Sequence, residues 1–130
     1  MFKKSLFHGV SAGILSGFAC YVFTTMLKDE FMYEFQDVLP ALKLFGACMF
    51  GCVLASIGFW SITKLTPKYG EIIFNIIFSF IIFASLIGPM TFHLPLDFDE
   101  DLTVIFPTFA MTLHFFPALI WFALKPIFIK

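Results

Sequence analysis

The sequence predicts an all-α membrane protein, a four-span transmembrane helical bundle of up-down topology that occupies residues 1–130 as a single domain. Three observations carry this. Hydrophobic residues make up 60% of the chain and charged ones only 13%, too few charges to cover the surface of a small water-soluble domain. No Asp, Glu, Lys or Arg occurs in Ser5–Leu27, Leu44–Thr63, Ile72–Leu96 or Leu102–Leu124. About 20 apolar residues, at roughly 1.5 Å each, cross a hydrocarbon core of about 30 Å, so each gap accommodates one helical crossing. The connections between the gaps are short, which makes consecutive spans antiparallel neighbours.

The first span is expected over residues 5–27. Lys3 and Lys4 ahead of an apolar run fit the start of a secretory signal. The run reaches Leu27 without an Ala-x-Ala-like site, however, so it is expected to persist as a span. In the stretch KDEFMYEFQDVLP that follows, Phe31, Phe35, Val38 and Leu39 share one helical face, with Glu30, Glu34 and Asp37 opposite. That period predicts a short interfacial helix in the first outer loop, ended by Pro40.

The second span is expected over 41–63. The turn KLTPKYGE, punctuated by Pro67 and Gly70, leads into a third span over 71–92. Gly88-Pro89 interrupts that span near its end. An acidic loop with Asp97, Asp99, Glu100 and Asp101 precedes a fourth span over 102–124. This span tolerates Pro107 in its first turns and carries Pro117 deep inside, where a kink is expected.

All eight basic residues are lysines. Lys3, Lys4, Lys64, Lys68, Lys125 and Lys130 fall on one side of an alternating topology, and only Lys28 and Lys43 fall on the other, acidic side. The positive-inside rule then puts both termini in the cytoplasm of a cell whose plasma (inner) membrane holds the chain. Abundant phenylalanine and all-lysine basicity suggest a bacterial source with an AT-rich genome. No basic patch points to nucleic acid.

Four sets of residues are candidates for function. Ser5, Gly9, Gly13 and Gly17 place one small residue per turn on span 1, and Ala47, Gly51 and Ala55 do the same on span 2. Small residues let helix backbones approach in lipid, where close packing drives association. Spans 1 and 2 are therefore expected to pack tightly on each other, or the span 1 stripe to face a partner protein or a second copy. The second set is a polar layer. His114 lies three residues before Pro117, which deprives the Leu113 carbonyl of its usual partner. Counted from the lysine side, Ser16, Cys52 and Ser79 reach about the same depth, with Asn75 one turn below Ser79. An ionisable residue within a span is a functional candidate by default.

The third set, Cys48 and Cys52, is spaced for neither a thioredoxin-type pair nor a zinc knuckle, and buried thiols act as small hydrophobes. The fourth, the acidic loop, lacks the glycine turn and ligand spacing of a cation site, so no metal is expected. His8, His93 and His114 differ too much in depth for an obvious haem pair. No span carries a carboxylate within the hydrocarbon, Glu71 standing at the inner boundary of the third, which argues against the small four-helix proton-coupled exporters.

The expected function is therefore that of a small inner-membrane protein acting through helix contacts in the bilayer. It would be an accessory or scaffold subunit with a membrane-protein partner, or a homo-oligomer, and no enzymatic chemistry or cofactor is expected. The alternatives are a small-solute transporter or channel built around His114, and a redox subunit carrying haem or a quinone.

Overall fold

A computed structural model describes residues 1–31, 39–92 and 100–129. Five helices account for nearly all of them: α1 (Phe2–Phe31), α2 (Ala41–Leu65), α3 (Gly70–Ser85), the short α4 (Ile87–Thr91) and α5 (Glu100–Phe128). Four stretches, Phe2–Asp29, Ala41–Leu65, Gly70–Thr91 and Thr103–Phe128, are long and apolar enough to cross a membrane. The protein is a multi-pass helical bundle. The expected interfacial helix falls almost wholly outside the described residues, as do His93, Asp97 and Asp99.

Helices dominate because hydrocarbon supplies no hydrogen-bond partner for backbone groups, so each span must satisfy its own. The hydroxyls inside the spans follow the same logic. Thr24, Thr25, Ser61, Thr63 and Thr112 each donate to a carbonyl one turn back, at 2.7–3.0 Å, which conceals their polarity. Between α2 and α3 the chain reverses at Thr66–Tyr69, where the Gly70 amide donates to the Thr66 carbonyl at 2.7 Å. A Cβ at Gly70 would lie 2.6 Å from Thr63 Cα, so this hairpin requires glycine for close backbone approach.

The interruption expected at Gly88-Pro89 is a break after Ser85. Pro89 has no amide to give the Ser85 carbonyl, and the helix resumes as α4 one residue later. Pro107, Pro117 and Pro126, by contrast, lie inside a continuous α5. Helix α5 also runs past residue 124, so Lys125 belongs to the helix interior rather than to a flanking segment.

Helix α1 packs antiparallel against both α2 and α5. Its buried face is a row of small and polar residues: Ser5, His8, Ala12, Ser16, Cys20 and Thr24, with Gly9, Gly13 and Gly17 beside them. Two apolar cores result. Cys20, Leu44, Cys48, Phe106, Phe109 and Leu113 form one toward the acidic end. Ala12, Cys52, Ala55, Phe59, Phe74 and Trp121 form the other toward the lysine-rich end. In the second, Trp121 is the hub of an aromatic cluster, with the rings of Phe74, Phe78, Phe122 and Phe59 at 5.2–5.8 Å. Such pairs contribute about 0.5–1.5 kcal/mol each beyond area burial. They fasten the start of α3 to α2 and α5.

Candidate functional site

Polar side chains converge at the lysine-rich end of the bundle. On α1, Ser5 and His8 lie one turn apart and face inward. Ser5 Oγ donates to the Ser56 carbonyl of α2 at 2.8 Å. Trp121 Nε1 of α5 donates to Ser56 Oγ, also at 2.8 Å. The His8 ring lies 4.7 Å from that of Trp121 and stacks on Phe128 at 5.7 Å. Its Nε2 is 2.9 Å from the Trp121 carbonyl. A carbonyl can only accept, so Nε2 is the donor and carries the proton of the neutral ring. Nδ1 is then an acceptor, buried and without a partner among the described residues.

One turn beyond Trp121, the buried Lys125 closes the cluster against α3. Its Nζ is 2.8 Å from Glu71 Oε1 and 3.3 Å from Asn75 Oδ1, and 4.8 Å from the centre of the Phe59 ring. The lysine side chain is 10% exposed and that of Glu71 65%. Ser5, Ser56, Trp121, Lys125 and Glu71 thus tie α1, α2, α5 and α3 together at one level.

A second layer lies near the middle of the bundle and is built from thiols. Pro117 leaves the Leu113 carbonyl without its helical amide, and Cys20 Sγ approaches that oxygen at 3.8 Å. Cys48 Sγ is 3.8 Å from Cys20 Sγ. Cys52 Sγ is 3.7 Å from the Pro117 carbonyl and 3.8 Å from Ser16 Oγ. These weak sulfur contacts hold α1 and α2 to the proline segment of α5. All three cysteines are free and buried.

Between α2, α3 and α5 lies an open, almost wholly apolar cleft of about 870 Å³. Phe74 and Phe78 of the aromatic cluster line it toward the lysine-rich end, and Ser85, Gly88 and Pro89 around the break before α4 line it toward the other. Ala47, Gly51, Ala55 and Gly58 line it on the α2 side, with Ile77, Ile81 and Ser85 on α3 and His114 and Pro117 on α5.

The sequence-predicted residues are distributed unevenly over these features. Gly9, Gly13 and Gly17 turn toward α2: a Cβ at Gly9 would lie 2.9 Å from the Cys52 carbonyl, and one at Gly13 2.8 Å from Met49 Cα, while at Gly17 it would overlap the Phe45 ring. The facing residues are therefore Phe45, Met49, Cys52 and Ser56. Ala47, Gly51 and Ala55 line the cleft instead, and a Cβ at Gly51 would meet nothing within 4 Å. Helices α1 and α2 thus pack together through the α1 stripe, while Ala47 and Gly51 of the α2 stripe turn to the cleft.

The polar layer also divides. Ser16 and Cys52 meet near Pro117, but Ser79 donates to the Asn75 carbonyl of its own helix at 2.8 Å. His114 is exposed on the cleft side, with Nδ1 2.7 Å from the Ala110 carbonyl one turn back. His8, which was not placed in this layer, is instead the histidine whose side chain is fully buried between helices. Trp121, Lys125 and Glu71 were not among the sequence candidates. Their signal is helical spacing: Trp121 and Lys125, like Glu71 and Asn75, are four residues apart and share a face.

Neither described histidine is hydrogen-bonded to a hydroxyl or thiol. Among the described residues no three His, Cys, Asp or Glu side chains form a metal-ligand set. No family model matches the chain, and no curated protein or solved structure matches it either.

Proposed function

We propose that this is a small polytopic inner-membrane protein that acts through helix–helix contacts, as an accessory or scaffold subunit or as a homo-oligomer. The observation that carries the reading is the contrast between α3 and the rest of the bundle. Polar groups of α1, α2 and α5 are engaged with one another, whereas only 17% of the apolar window over Gly70–Thr91 is buried within the chain. Ile72, Ile76, Phe80 and Phe83 form an exposed ridge along α3, at spacings that keep them on one side. A ridge of large apolar side chains can enter the grooves of another helix.

The glycine stripe is not the contacting surface in this reading, because Gly9, Gly13 and Gly17 already abut α2. The excess of lysines at one end supports a topology with that end, and both termini, in the cytoplasm of a bacterial cell. A solute path around His114 has less support, since the side chains that were to line it do not converge.

Site-specific photo-crosslinking tests the reading. A photoreactive residue at Phe80 or Ile76 should yield a discrete protein adduct, either to another protein or to a second copy. The same residue at Leu15, exposed on α1, should not. Lipid adducts alone from the α3 ridge would overturn it.

A further inference from the structure

The cleft between α2, α3 and α5 and the imidazole on its wall have no role in the helix-contact reading. His114 lies near the middle of the Thr103–Phe128 span, where no bulk water is available to a polar atom. Its Nδ1 faces the Ala110 carbonyl at 2.7 Å; the carbonyl can only accept, so Nδ1 is the donor, and in the neutral ring Nε2 is then the acceptor. Among the described residues nothing donates to Nε2. The other polar groups along the cleft are engaged: Cys48 is directed at Cys20, Cys52 at the Pro117 carbonyl, and Ser85 at the Ile82 carbonyl. An ordinary acyl chain would fill the apolar volume but leave Nε2 unpaired, at a free-energy cost in hydrocarbon.

We propose that the cleft binds an apolar molecule of the bilayer that carries a hydroxyl donor, with His114 Nε2 accepting its O–H. The volume of about 870 Å³ is within the usual range for small-molecule sites, which are mostly apolar with a few placed polar groups. Ala47 and Gly51 leave α2 flat where the chain of such a ligand would lie. An isoprenoid alcohol and a quinol both offer this chemistry, an O–H on an apolar tail.

The test uses the full chain in nanodiscs with a diazirine-bearing farnesol analogue as the photoprobe. Farnesol should displace the probe about three- to tenfold more effectively than farnesyl methyl ether, in which a methyl group replaces the donor hydrogen. That ratio should fall to about one in His114→Leu and be partly kept in His114→Gln, whose amide oxygen still accepts. The histidine is hydrogen-bonded only within its own helix, so both variants keep the bundle intact, and a thermal melt verifies this. Gly51→Leu, at a position where an added Cβ meets nothing within 4 Å, narrows the cleft and should abolish labelling. A short-chain quinol more effective than farnesol assigns the phenolic source, and the reverse order assigns the alcohol. Equal displacement by farnesol and its ether, a preference unchanged in His114→Leu, or labelling that survives Gly51→Leu would overturn the proposal. The α3 crosslinks are read separately, so either idea can fail without the other.

Discussion

The thiol of Cys20 on α1 stands 3.8 Å from the carbonyl oxygen of Leu113 on α5, the acceptor that Pro117 leaves without an amide. A helix-breaking residue in one span is thus answered by a weak donor from another. Within a bilayer that oxygen has no water to turn to. The proline segment can remain helical because neighbouring spans attend to it.

This relationship predicts a coupling. Cys20→Ala should cost more when residue 117 is proline than in Pro117→Ala, where the new amide takes over the Leu113 carbonyl. The expected interaction energy is about 0.6 kcal/mol, the size found for polar contacts between membrane helices. Because Cys20 is fully buried, its single variant also loses packing, and the double-mutant cycle removes that contribution. Reversible unfolding in mixed micelles gives the four stabilities; strict additivity would rule out the contact.

The glycines provide a sharper ranking. At Gly9 and Gly13 a methyl group would press on α2 backbone atoms at 2.9 and 2.8 Å, whereas at Gly51 it meets open space. Gly9→Ala and Gly13→Ala should each destabilise by about 1–3 kcal/mol, as overpacking does. Gly51→Ala should stay within about 0.5 kcal/mol of the parent chain. Thermal melts in one detergent suffice, and a Gly51→Ala loss as large as that of Gly13→Ala would contradict the packing described.

The same glycines show what a sequence reveals and where it stops. Four charge-free gaps locate the spans because any Lys or Glu in hydrocarbon is costly, and that rule needs no tertiary information. The small stripe of α1 is visible for the same kind of reason. The rotation of α2 is not visible, because Ala47-Gly51-Ala55 and Cys48-Cys52-Ser56 are both small faces, offset by one residue. One residue is about 100° around a helix, and only the packed bundle selects between them. Lys125 was obscured by its own charge, which marks a span end in a linear reading. In the bundle its amine lies over the Phe59 ring and pairs with Glu71.

That ion pair should be asymmetric. Removing Glu71, the exposed partner, leaves a buried ammonium with Asn75 and the Phe59 ring, whereas removing Lys125 leaves a carboxylate already in contact with solvent. Glu71→Gln should therefore destabilise by about 1 kcal/mol, and Lys125→Met, which keeps the apolar stem, should cost less. The double variant should resemble Lys125→Met alone. Chemical denaturation at low and high salt checks the order, with the Glu71→Gln effect shrinking as salt screens the parent pair. A greater loss for Lys125→Met would reverse the assignment.

His8 makes the last case, because its two nitrogens act in opposite directions. Nε2 donates to the Trp121 carbonyl, a bond that contributes about 0.5–1.5 kcal/mol, while the buried Nδ1, without a partner among the described residues, costs about 1–3 kcal/mol. His8→Phe removes both and retains a ring against Trp121 and Phe128, so its stability should remain within about 1 kcal/mol of the parent. His8→Ala also opens a cavity beside Trp121 and should lose about 2–4 kcal/mol. Melting temperatures of the two variants, with Trp121 emission as a local probe in a Trp60→Phe background, separate ring packing from hydrogen bonding. If His8→Phe were as damaging as His8→Ala, the imidazole nitrogens rather than the ring would be holding α1 to α5.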